Sequence, residues 1–391
     1  MKQLPKRISS IDILRAITMF LMIFVNDVAG VDKIPLWIEH TEASFDGMGF
    51  SDLIFPAFLF IVGLSLPFAI QGRIKKGDSF TSIFLYIALR AFALIVMGFF
   101  HVNMENYNYD QAVLSYPVFM ISLTIGFFLI WLDYPEKLAK PIKYTLITLG
   151  IIIVATMAYL FKGGNAAHPK DLEPQWWGIL GIIGWAYLFA ATTYLLTGGK
   201  FAFLLPAFIV FALINITSHM DLQHIDLWMI GDASSITLML GGAVISTLYT
   251  IFIGKGKDQN LWVLLTIAGI SSLLFGFIIR PYAGGISKIY STPAWVFICM
   301  GISILMFELL IYIVDFKDKK KWFSLISPAG TSTLTCYLIP YLLYSLFSLI
   351  DFNYPHYFNY GIGGIIRSLF IAFVVIRIVG FLEKRSLRLK V

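Results

Sequence analysis

The side chains best able to do chemistry gather in one stretch. His40 lies in a loop that opens with Asn26 and Asp27, carries Trp37 and the carboxylates Asp32, Glu39, Glu42 and Asp46, and closes on Ser51 and Asp52. An imidazole beside a carboxylate is the usual device for moving a proton during acyl transfer, because its basicity lies near neutrality. His40, Asn26 and Asp52 are therefore the candidate catalytic group. A loop histidine resting at headgroup level accounts for the same residue, and the residues alone leave both readings open. Ser51 and Asp52 are also placed to cap the apolar run that follows, at a helix N-terminus that favours negative charge.

A second pattern lies just upstream. Asp12, Arg15, Met19, Met22 and Asn26 are spaced 3, 4, 3 and 4 apart, which puts them on one face of a helix. That face is charged at one end, soft and apolar in the middle, and polar at the other. Ionisable groups in a membrane helix cost roughly 2.5 kcal/mol or more each, so they line cavities or pair with one another. The stripe reads as the wall of a route across the membrane; an Asp12–Arg15 pair snorkelling to the interface is the other reading. Arg90 sits in the middle of an apolar run with no carboxylate in its own segment, so it needs a partner from another helix or a ligand anion. Arg367 and Arg377 flank the middle of the last apolar run, and the simplest expectation pairs them with Glu308 or Asp315.

Other chemistries leave no mark. There is no nucleophilic-serine elbow, phosphate-binding loop or zinc-helix motif, and the spacing of His219 and His224 gives no metal site, so no metal is expected. The two cysteines, Cys299 and Cys336, define no disulfide framework; they are expected near opposite faces of the membrane as free thiols.

The elements that must hold these residues follow from composition. The chain has 391 residues, 58% hydrophobic and 13% charged, with a mean hydropathy of +0.81. A soluble domain carries about twice that charge fraction. Apolar runs of about 20 residues recur, each long enough to cross a bilayer, and they are continuous where a barrel strand would alternate. The expected fold is all-α: a polytopic membrane protein of about 11–12 transmembrane helices, a single bundle spanning 1–391. Helices are expected near 11–29, 51–71, 80–100, 112–132, 142–161, 177–197, 201–217, 232–253, 261–279, 294–314, 330–350 and 360–382. The first run lacks a small-residue cleavage site and reads as a membrane helix and not a signal peptide.

Charge sets the direction. With the N-terminus inside, 20 of the 29 lysines and arginines fall in inward segments and 5 in outward loops. Both termini are then cytoplasmic, and the His40 loop faces out. The net charge of +6 is explained by this topology, so the expected surroundings are a lipid bilayer and no nucleic acid. No convincing internal repeat is present, which weakens a transporter built from inverted halves.

At this point the residues carry a resemblance. "SSIDILRAITMFLMIFVND", the Trp and His of the loop, and "SDLIFPAFLFIVGLSL" resemble the heparan-α-glucosaminide N-acetyltransferase family, and the stretch from "GGISKIYSTPAWVF" to "TSTLTCYLIPYLLY" resembles its DUF5009-like bacterial branch. The two blocks cover about a third of the chain. The resemblance implies a transmembrane acetyltransferase of the bacterial inner membrane. It would move acetyl from cytosolic acetyl-CoA to the amine of a terminal glucosamine, or a related amino-sugar or glycosaminoglycan-derived acceptor, on the outer side. An amino-sugar transporter is the alternative, and a homodimer is left open. His40, Asn26 and Asp52 match the family's loop histidine, helix-end asparagine and second-helix aspartate. Asp12, Arg15 and Arg90, with Met19 and Met22 as soft walls, would hold acetyl-CoA, and Trp37, Glu39 and Asp46 would contact the sugar. This chain departs from the family pattern in a longer Asn26-to-His40 spacing, in "LSYPVFMISLTIG", and in Gly330-Thr331-Ser332, and the last two touch the acceptor or CoA pockets.

Overall fold

In lipid, backbone N–H and C=O groups must be satisfied inside their own segment, so apolar runs of this length fold as helices. A computed structural model describes residues 8–165, 167–220, 228–255 and 258–390. Lys2, Lys6, Arg7, His224 and Lys257 lie outside the described residues. The helices are α1 (Ser9–Val28), α2 (Ser51–Lys75), α3 (Phe80–Asn103), α4 (Tyr116–Trp131), α5 (Lys140–Leu160), α6 (Gly178–Leu196), α7 (Phe201–His219), α8 (Ser234–Gly254), α9 (Asp258–Ile279), α10 (Pro293–Leu310), the single turn α11 (Ser327–Thr331), α12 (Thr333–Leu349) and α13 (Gly361–Lys384).

Nine of the described helices are long and apolar enough to cross a membrane, and α4 and α12 are shorter apolar helices. The remaining long helix, α1, carries Asp12, Arg15 and Asp27 within its 20 residues. The protein is an all-α, polytopic integral membrane protein. The segment expected at 330–350 is broken at Ser332, which leaves helical geometry (φ −127°, ψ 45°) and separates α11 from α12. The helix expected from 232 starts at Ser234 because Ala233 is left-handed (φ 62°).

Packing fixes which helices can share a site. α2 lies along α8, α3 along α6, α4 along α5, and α9 along α10. α1 is central, touching α2, α10, α11, α12 and α13. Gly63 of α2 and Gly242 of α8 set the closest crossing: a Cβ at Gly63 would overlap the Met239 carbonyl, and one at Gly242 the Phe60 carbonyl. α5, in contrast, buries only Gly150 and Met157. The start of α1 lacks a side-chain cap of its own. The Asp315 carboxylate, on the π-helical extension Ile311–Phe316 of α10, caps it instead, accepting from the Ser9 (2.9 Å) and Ser10 (3.3 Å) N–H groups.

Alternate loops collect at one end of the bundle. There Asp32 bridges to Tyr360 and Tyr107 to Gly163. The strands β1 (Gly163–Gly164) and β2 (Pro169–Lys170) pair antiparallel, Gly163 opposite Lys170. At the other end, Asp133 binds Arg388 (3.0 Å) and Lys390 (3.1 Å), which folds the C-terminal strap back onto the end of α4.

Candidate active site

The loop between α1 and α2 folds back over the first turn of α2, and this brings His40 to Asp52. His40 Nδ1 is 2.7 Å from Asp52 Oδ1. The other carboxylate oxygen accepts from the Thr41 N–H (3.1 Å), the Thr41 hydroxyl (2.9 Å) and the Gly49 N–H (2.9 Å). Asp52 is wholly buried, and its backbone carbonyl accepts from the Trp295 indole at 3.1 Å. Such a saturated carboxylate is an acceptor only, which favours the tautomer with the proton on Nδ1 and the lone pair on Nε2. The capping expected of Ser51 and Asp52 is not made: α2 has no side-chain cap, Asp52 accepts instead from the Gly49 N–H in the preceding loop, and the Ser51 hydroxyl donates to the Ile38 carbonyl.

Lys288, from the loop before α10, joins this pair. Its Nζ lies 3.0 Å from His40 Nδ1, 3.4 Å from Nε2 and 3.9 Å from Asp52 Oδ1. Burial pushes its ammonium below the usual lysine range, and Asp52 partly opposes this. The sequence reading left Lys288 out. Its only signal was a basic residue on the side of the membrane where the expected topology places few.

The remaining loop residues are placed differently. Asp46 is tied to Arg280 Nε (3.0 Å) and to the Ile286 N–H (2.7 Å). The Ile286 N–H holds its carboxyl below the usual range; burial opposes this, and Arg280 adds to the lowering. Trp37 is exposed and Glu39 half-buried. Asn26 is exposed on the last turn of α1, and among the described residues its amide has no hydrogen-bond partner.

Next to Asn26, Asp27 is buried in a network that the sequence reading missed. Arg367 of α13 donates to its Oδ1 (2.9 Å), Ser368 donates to the same oxygen (2.6 Å), and Tyr344 donates to Oδ2. Asn359 also contacts the Arg367 guanidinium. The expected pairing of Arg367 and Arg377 with Glu308 or Asp315 is therefore corrected. α13 packs on α1, so Arg367 meets Asp27; Glu308 instead accepts from Thr266 (2.8 Å), and Asp315 caps α1. Arg377 is exposed and has no ion pair among the described residues.

The polar stripe of α1 borders a cavity of about 410 Å³ between α1, α2, α3, α6 and α12. Arg15, Met19, Met22 and Arg90 all line it, while Asp12 sits in the adjoining crevice and pairs with Arg15 at 3.2 Å. Arg15 also donates to the Gly330 carbonyl (2.9 Å) and the Ser65 hydroxyl (2.5 Å). Arg90 donates to the Tyr86 hydroxyl (3.2 Å) and lies 5.1 Å from the centre of the Tyr187 ring. Arg388 and Lys390 complete the lining, which holds four cations and no carboxylate. On α2 the lining runs from Ala69 out to Phe58, which is six residues, or about 9 Å of helix rise, short of Asp52.

A polytopic membrane bundle with a histidine–aspartate pair at one end and a cation-lined cavity leading toward it is the class that this fold and site define. Residues 7–213 match the family described as "Domain of unknown function (DUF5009)", and the chain belongs to that family. It is also similar to the human heparan-alpha-glucosaminide N-acetyltransferase, 37% identical over 100 residues, and to the mouse protein of the same name, 32% identical over 110. These matches cover 26% and 28% of this chain, and span 14% and 16% of the length of those proteins.

Proposed function

We propose that the protein is a transmembrane N-acetyltransferase of a bacterial inner membrane. It takes acetyl from acetyl-CoA on the cytoplasmic side, where both termini lie, and passes it to the amine of a terminal glucosamine or related amino sugar outside. The observation that carries this reading is the cavity walled by the α1 stripe and lined by Arg15, Arg90, Arg388 and Lys390; Asp12 and Asp133 pair with three of these from outside the lining, and Arg90 has no carboxylate partner among the described residues. Such a lining suits an anion of several charges, and guanidinium groups bind phosphate oxygens by charge-assisted hydrogen bonds. Arg15 and Arg90 would hold the nucleotide phosphates, and Met19 and Met22 would flank the narrow arm that carries the acetyl group.

In transfer, the thioester C–S bond breaks and a C–N bond forms to the sugar nitrogen. His40 Nε2 takes the proton the amine gives up, and the thiolate leaves toward the cavity. Asp52 keeps the ring in the tautomer that leaves Nε2 basic. Asn26, one turn beyond Met22 on the same face, would donate to the acyl oxygen as it gains charge. Direct attack by the sugar amine and prior transfer of acetyl to Nε2 use the same atoms.

Purified protein in liposomes, given acetyl-CoA on one face and glucosamine on the other, tests the reading. Vectorial appearance of N-acetylglucosamine supports it. Unmodified sugar crossing the membrane, with no acetyl-CoA binding, replaces it with transport.

A further inference from the structure

A second cavity, of about 860 Å³, opens at the loop end between α6, α7, α8 and the loop before α10. It shares no lining residue with the cation-lined cavity, and its size is that of a small-molecule site, about 300–1,000 Å³. Trp176, Trp177, Trp185 and Trp228 line it, with Tyr290. Trp177 packs edge-on against Trp185 (centroids 5.5 Å) and Trp228 (6.2 Å), so the indoles form one connected surface. The Trp185 indole N–H is buried and has no partner among the described residues; it can only donate.

The backbone here is held under strain. Among the described residues seven that are not glycine have positive φ, and three of them belong to this cleft. Trp177 (φ 69°) and Ser291 (φ 53°) line it, and Ala233 (φ 62°) sits between the lining residues Asp232 and Ser234. Such conformations are costly for residues with a Cβ and cluster at binding sites. An indole belt that merely anchors a protein at the headgroups requires none of them.

The cleft adjoins the candidate active site. Lys288 touches His40, and the next two residues, Ile289 and Tyr290, line the cleft. Consecutive Cα atoms are only about 3.8 Å apart. Among the described residues the lining includes Asp232, 3.8 Å from His219, and neither lysine nor arginine.

We propose that this cleft is an acceptor subsite for an unsulfated oligosaccharide. Pyranose rings would lie on the indole faces, hydroxyls would accept from Trp185 Nε1, and the terminal amino sugar would extend past Tyr290 to His40. Without lysine or arginine, the lining disfavours sulfated or carboxylated chains. The reaction at the terminal sugar rests on the acetyltransferase reading; occupancy of the cleft does not.

Calorimetry on the full chain in detergent, without acetyl-CoA, tests the subsite with a β-1,4-linked glucosamine tetrasaccharide, glucosamine itself and a sulfated tetrasaccharide. The unsulfated tetrasaccharide should bind at least tenfold more tightly than either. Trp228→Ala should weaken it about tenfold, Trp228→Phe should restore most of that, and Trp322→Ala at the other end of the bundle should leave it unchanged. Equal binding of the three sugars, tighter binding of the sulfated one, or full affinity in Trp228→Ala overturns the proposal. Acetyl transfer to glucosamine with no tetrasaccharide binding would sink the subsite alone. Tetrasaccharide binding that needs Trp228, with no acetyl transfer, would sink the enzyme reading alone.

Discussion

His40 Nδ1 and Asp52 Oδ1 stand 2.7 Å apart, one ring edge half-exposed and the other group sealed from solvent. The aspartate is held by three further donors, so it cannot turn away from the imidazole. His40→Ala should lower acetyl transfer by about 100-fold or more while acetyl-CoA still binds, and Asp52→Asn should cost about as much by presenting the wrong tautomer. His356→Ala serves as the comparison. Near-normal turnover in His40→Ala would place the chemistry elsewhere.

Arg15 and Arg90 face one cavity from two helices. Arg15→Ala should weaken acetyl-CoA binding about tenfold or more, the scale of one charge-assisted hydrogen bond, with little effect on sugar binding. Arg377→Ala should do neither. Unchanged CoA affinity in folded Arg15→Ala would return that residue to a structural pair with Asp12.

The Asp27–Arg367 pair is a buried ion pair between α1 and α13, with side chains 3% and 10% exposed. Removing one partner strands the other, so Asp27→Ala should destabilise by about 3–5 kcal/mol, read as a lowered Tm in detergent. The double change Asp27→Asn with Arg367→Gln should recover part of the loss. Additive losses would mean that the two groups are not coupled.

Lys288 offers a test by pH. Burial lowers its ammonium below the usual lysine range, so it should react with an amine-directed reagent at lower pH than the exposed Lys170. Asp52 acts in the opposite direction, so Asp52→Asn should move the midpoint lower still. A midpoint that rises in Asp52→Asn contradicts the contact.

Orientation is checked by labelling. A cysteine at the exposed Ser44 should react with an impermeant maleimide from outside in intact cells. Reaction only after permeabilisation would reverse the topology and remove the outer acceptor with it.

The sequence by itself determined the helices and one helix face. Apolar runs in lipid must close their own hydrogen bonds, so twelve helices were readable to within a few residues, nine of them long and apolar enough to cross a membrane among the described residues. The 3, 4, 3, 4 spacing of Asp12, Arg15, Met19, Met22 and Asn26 follows from the helical period alone, and the cavity runs along that face. Tertiary structure decided which helices meet. Arg367 found Asp27 and not Glu308 because α13 lies on α1, a choice set by side-chain shape and the close approach of small residues such as Gly364 to Val31. Lys288 reached His40 across 248 residues, and the tryptophans of two separate loops and a helix met in one cleft. No local pattern encodes such contacts, because hydrophobic periodicity specifies the face a helix buries and leaves open the neighbour it is buried against.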